Sequence, residues 1–256
     1  MFRKLRILLL LLVLATVALS AWRANARLTA WEHSVHIAVY PVAADDSPAT
    51  ARYIAQLSAD DFAEIGDWLQ EESRRYGKPV LQPAALRLAP PLNERPPLPP
   101  VQASAFDAVL WSLKLRWWAS RLDDPPGPRP QVRLFVLYHD PERSPALPHS
   151  TGLERGQVGL IHAFASRPQQ RQNAVIIAHE LLHVFGASDK YDQASNQPRH
   201  PDGYAEPDRS PLLPQEFAEI MGGRIPLSAG QSEIPGSLAE TLIGAATARE
   251  IGLLGR

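Results

Sequence analysis

The chain has no cysteine in its 256 residues. That excludes a thiol nucleophile, a thiolate metal site and a disulfide framework. Methionine is almost as scarce: Met221 is the only one besides the initiator. Neither sign of charge dominates, with 26 Lys and Arg against 27 Asp and Glu. No basic stripe with interleaved aromatics occurs, so nothing supports nucleic-acid binding. After the amino terminus no apolar run is long enough to span a bilayer, so the chain is not polytopic. No internal repeat is visible.

What is there begins with a targeting segment. Arg3, Lys4 and Arg6 precede an uncharged Leu/Val/Ala-rich run from Ile7 to Ala21. That run is short for a spanning helix of about 20 residues, which favours a cleaved signal peptide. Ala24 and Ala26 give an Ala-x-Ala cleavage site after Ala26. Trp22 sits where an interfacial anchor would sit, which favours retention. Residues 1–26 are therefore read as a signal peptide or an amino-terminal membrane anchor, with residues 27–256 as one exported domain. The domain would lie on the periplasmic or extracellular side, held in the inner membrane by residues 7–22 if the segment is kept. Loss of residues 1–26 moves the formal charge from -1 to -5.

The apolar fraction of 45% is ordinary for a globular domain, while 25 prolines imply long loops. Alternation predicts a strand over 35–40, and Ser58 caps a helix predicted to run to Tyr76. A short strand follows at 85–88, then a proline-rich connector at 90–100. Gln102 to Leu122 is a second helix. Within it Phe106, Leu110, Leu113 and Trp117 recur at helical spacing and read as core. Strands are predicted at 131–138 and 157–165, the latter carrying His162, read as a packing residue. A helix spans Asn173 to Phe185. Residues 189–215 are loop-rich, and 236–251 reads as a carboxy-terminal helix. The fold class is α/β (α+β), with a mixed sheet.

The chemistry lies in His179-Glu180-Leu181-Leu182-His183. Residues i and i+4 share a helix face with Cβ atoms about 5–6 Å apart, so His179 and His183 can reach one metal ion. Glu180 can hold a water beside that ion and act as general base. Gly186 suits the left-handed position that stops a helix, and the chain can then turn back to bring Asp189 to the metal. Glu206, Glu216 and Glu219 are other carboxylates that could serve as third ligand. Tyr191 is the first candidate for an oxyanion donor and Tyr204 the second, an ordinary loop position being the alternative for both. Asp192, Asp202, Glu206 and Asp208 lack the spacing of a calcium loop and read as a solvated loop.

His179-Glu180-x-x-His183-x-x-Gly186-x-x-Asp189 resembles the metzincin clan of zinc peptidases, in the snapalysin-like variant with Asp as third ligand. Asp189-Lys190-Tyr191 and Glu219-Ile220-Met221 add to the likeness, which covers residues 172–223. The resemblance implies a metzincin-like fold with an irregular lower part and Zn2+ held by His179, His183 and Asp189. It also implies that Met221 forms a Met-turn beneath the ligands, and that Gly159 to Ala165 is a cleft-edge strand for an extended substrate. A long insert, Gln193 to Gln215, departs from the pattern. The expected activity is zinc endopeptidase action on a peptide or protein by a monomer. The alternatives are a non-catalytic zinc-stabilised envelope protein that binds peptides, and an amide hydrolase of cell-wall peptide.

Overall fold

A computed structural model describes residues 26–78, 80–100, 104–153 and 157–255, with residues 6, 7, 11, 12, 15, 16 and 19. The expected targeting segment falls largely outside the described residues. Among the described residues no helix is long and apolar enough to cross a membrane.

The architecture is mixed α/β. A five-stranded sheet has the order β2-β1-β3-β5-β4, with β1 Val35–Ala43, β2 Ala84–Leu88, β3 Val132–His139, β4 Thr151–Leu153 and β5 Val158–Phe164. The pairs β1–β2, β1–β3 and β3–β5 are parallel, while β4 runs antiparallel to β5. Side chains alternate between two cores, one on each sheet face. Val35, Ile37, Val39, Leu134, Val136, Ile161 and Ala163 face one; Ala38, Tyr40, Phe135, Leu137 and Leu160 face the other. Strands buried on both faces need near-continuous apolar runs, as here.

The first face is covered by α1 Pro48–Ala55, α2 Ala63–Arg75 and α4 Gln170–Val184. Helix α2 enters through a 3-10 turn capped by Ser58 and Asp61, so the expected cap holds but the first turn is tighter. Helix α1 escapes sequence pattern because it is eight residues long, with Pro48 at its start and Ser47 as cap. On the second face lies α3 Ala105–Ala119, which presents Leu115, Ala119, Trp111 and Trp118 to the sheet. Trp118 meets Phe135 edge-on, with centroids 5.0 Å apart. The remaining residues of its apolar pattern are not core. Phe106, Val109, Leu110, Leu113 and Trp117 are 49–69% exposed. Helix α3 is apolar on nearly every side, so helical spacing alone could not tell its inner stripe from its outer one.

Strand β5 is not the sheet edge. The three residues of β4 pair with Val158–Leu160. Beyond them the His162 amide donates to Ser150 Oγ at 2.9 Å. The side-chain amide of Asn173 then takes both backbone groups of Phe164, at 3.0 and 2.8 Å. Val158, Leu160, His162 and Phe164 thus each have a partner on this side, and among the described residues β4 is the last strand of the sheet.

The lower part is irregular apart from short strands: β6 Ala218–Glu219 with β9 Thr241–Leu242, and the hairpin of β7 Ile225–Ser228 with β8 Gln231–Glu233. The carboxy-terminal helix is much shorter than expected. Only α5 Ala245–Glu250 is α-helical, because the buried Glu219 carboxylate takes the Gly244 amide at 3.0 Å and diverts the chain there.

Candidate metal centre

Helix α4 brings His179 and His183 together on one face, with Nε2 atoms 3.1 Å apart. Its end is a glycine-terminated motif. Gly186 has φ 104, its amide donates to His183 O, and the Ala187 amide donates to Leu182 O. Both bonds satisfy carbonyls that a helix end leaves open. The reversed chain places Asp189 Oδ1 3.3 Å from His179 Nε2 and 3.1 Å from His183 Nε2. Oδ1 is buried and in hydrogen-bond geometry with neither ring, so the three atoms aim at the space between them.

Ring orientation is set by the backbone. His179 Nδ1 lies 2.9 Å from Ile220 O and His183 Nδ1 lies 2.8 Å from Ala187 O. A carbonyl only accepts, so each Nδ1 carries a proton and each Nε2 is turned inward, where in the neutral tautomer it offers a lone pair. In these tautomers three acceptor atoms face one point, an arrangement that could hold a cation. Burial alone would lower the pKa of His179, yet Asp189, the Glu180 charge and the Ile220 carbonyl outweigh burial and raise it. Burial opposes ionisation of Asp189 too, but the two imidazoles hold its carboxyl well below the usual range. Glu180 is buried beside the histidines, and the three residues place ligand atoms within 4.8 Å of one another, so the cluster can hold a metal ion.

Asp189 is clamped from both sides. Ser188 donates through its amide and hydroxyl to Glu250, at 2.9 and 2.8 Å. Lys190, itself buried, donates to Glu250 at 2.6 Å and to Ser188 O at 2.9 Å. The Lys190 amide donates to Met221 O at 2.8 Å. Met221 is fully buried in a turn closed by Gly222 and Gly223 donating to Glu219 O. Gly222 is required there, since a Cβ would lie 2.4 Å from Gly203 O. One turn therefore supplies the carbonyl that orients His179 and the carbonyl that anchors the segment carrying Asp189.

The other proposed ligands are elsewhere. Glu219 is buried and accepts from Gly222, Gly244 and Thr247, and burial raises its pKa. Glu206 and Glu216 pair with Arg209. His162 joins His139 at 2.7 Å on the sheet face away from α4, and burial first, then the charge of His139, depress its pKa to about 4. Asp192 caps its own turn through Ala194 and Ser195.

Tyr191 lines a cavity of about 510 Å³ with Phe164, Val175, Ile176, His179 and Ile220. Burial, and then the neighbouring Asp189 carboxylate, raise the pKa of its phenol, so it keeps its proton at neutral pH. Tyr204 instead stacks edge-on against His200 and lines a separate cavity with Arg75. Sequence reasoning missed Glu250, which lies far along the chain from Asp189. It also missed the carbonyls of Ile220 and Ala187, which no side-chain pattern announces. No protein-family model matches the chain, and no curated protein matches it.

Proposed function

We propose that the protein is an exported zinc-dependent endopeptidase of metzincin type. The observation that carries this reading is the triangle of His179 Nε2, His183 Nε2 and Asp189 Oδ1, with edges of 3.1 to 3.3 Å. Two ligands at about 2.0–2.1 Å from a tetrahedral zinc ion lie about 3.3–3.4 Å apart. Two imidazoles and one carboxylate are also a donor set of catalytic zinc, which keeps a position open. The mixed α/β sheet that precedes the metal helix and the buried Met221 turn support the same reading.

Bound zinc would supply Lewis acidity, polarising a carbonyl and making water acidic near neutral pH. The residues of this chain do the rest. Glu180 accepts the proton of the attacking water and delivers it to the leaving amine. Tyr191, protonated and at the cavity wall, donates to the developing oxyanion. The 510 Å³ cavity takes a substrate side chain, and the outer edge of β4 takes the peptide backbone by strand addition. A non-catalytic binding protein has no use for a buried carboxylate next to the first ligand. Glu180→Gln is the decisive variant. Zinc content should stay at one ion per chain while peptide turnover falls about 10²- to 10⁴-fold, the range for a lost general base. Turnover equal to wild type would reject the mechanism, and no zinc in wild type would reject the site.

A further inference from the structure

The outer stripe of α3 is the largest feature that the metal centre leaves unused. Phe106, Val109, Leu110, Leu113 and Trp117 follow one another at spacings of three and four, so they form one continuous ridge. The ridge points away from the sheet, because Leu115 and Ala119 on the opposite side of the helix are buried there. Leu98 is exposed too, in the loop that Trp111 holds by donating to Pro97 O at 2.8 Å. Contiguous apolar surface of this extent on a folded domain marks an interaction site.

The charges beside the ridge point to its occupant. Lys114 and Arg121 lie along one flank and Arg116 along the other, all exposed. None of the three is in an ion pair among the described residues. The Arg121 guanidinium sits 4.5 Å over the Trp117 ring, which joins the cation to the amphipathic aromatic at the end of the ridge. A second copy packed on this ridge would bring Lys114 and Arg116 of each helix, with Arg121 just past its end, against their counterparts, with Asp107 the only acid within the helix to offset them. Anionic lipid headgroups complement the same charges, and acyl chains complement the ridge.

We infer that α3 is an in-plane membrane-binding helix, which seats Phe106, Val109, Leu110, Leu113 and Trp117 in the outer part of an anionic bilayer. Helices of this kind bind through buried apolar area plus attraction of flanking cations to anionic lipid. The inference does not depend on zinc or on peptidase activity. It would fix the orientation of the whole domain on the surface, with the α3 side of the sheet toward the lipid and α4 on the far side.

The lack of cysteine makes a site-specific test clean. A spin label is placed on the full chain at Leu113→Cys, and as a control at Glu233→Cys, an exposed position on β8. Both proteins are bound to vesicles of phosphatidylethanolamine and phosphatidylglycerol. The Leu113 label should gain oxygen collisions and lose contact with a water-soluble nickel reagent, raising the ratio of the two several-fold, while the Glu233 label does not change. Equal ratios at the two positions would overturn the inference. So would dipolar broadening between Leu113 labels without vesicles, because a second copy would then cover the ridge. Val109→Cys, on the same ridge, replaces Leu113→Cys if circular dichroism shows that variant unfolded.

Discussion

Lys190 and Glu250 form a 2.6 Å ion pair, and through it the last residue of α5 governs where Asp189 sits. Lys190 is buried, so its charge has left water and depends on that partner. The same carboxylate takes both donors of Ser188. The two neighbours of a candidate ligand thus share one distant anchor.

Removing the anchor should loosen the site. Glu250→Ala leaves Lys190 buried and unpaired. Breaking a fully buried pair costs about 3–5 kcal/mol, and partial exposure of Glu250 lowers the expected loss to about 2 kcal/mol. Loss of a group that orients a ligand typically weakens metal binding by about 10–100-fold. Urea denaturation reads the first effect, and zinc titration against a chromophoric chelator reads the second. Unchanged zinc affinity in a destabilised variant would show that Glu250 braces the fold alone.

Glu72 predicts how stability varies with pH. Its carboxylate accepts from the Ile243 amide at 2.6 Å and meets Arg75 at 2.8 Å, yet burial outweighs both and pushes its pKa up to about 7. Between the ordinary glutamate value of 4.5 and about 7 the folded chain binds this proton more than the unfolded chain does. Stability from this group is therefore fully present below pH 4.5 and is lost as pH rises through about 7. The loss is up to about 3 kcal/mol, at 1.36 kcal/mol for each pH unit of difference. Glu72→Gln should flatten that limb of the profile, and denaturant midpoints taken from pH 5 to 8 will show whether it does.

Leu28 and Trp31 tie an early stretch of the described chain to its core. Both are buried in the larger core, and Trp31 meets Phe185 edge-on with centroids 5.5 Å apart. Its indole donates to Ile251 O at 2.7 Å. Phe185 caps α4, so Trp31 braces the end of that helix. Trp31→Ala should cost about 3–5 kcal/mol, as for other large-to-small core changes. Chains started at residue 27 and at residue 33 can be compared by thermal melting, with the longer expected to keep the stability of the full body.

The candidate cluster was legible because its residues are local. His179, Glu180, His183, Gly186 and Asp189 obey the geometry of one helix and one turn, and their proximity follows from spacing. The parts that failed were those set by tertiary context. Strand β4 is three residues long and shows no alternation, so β5 read as the edge. The stripe of α3 has the periodicity of a core face but faces away from the sheet. Residues 236–251 have helical composition, but the Glu219 carboxylate breaks them at Gly244, a contact no local pattern contains. Glu250 likewise acts on Asp189 only once α5 is packed.

The locality of the ligands has a further consequence. His179, His183 and Asp189 lie within one short stretch of chain, so a denatured polypeptide can still gather them at little loop-closure cost. An ion that also has partners in the denatured ensemble stabilises the native state by less than its native affinity implies. Native selectivity then falls to the remote elements, Ile220 and Glu250, which the denatured chain lacks. Those two set ring orientation and carboxylate position, and they separate a folded, pre-arranged cluster from a merely chelating peptide.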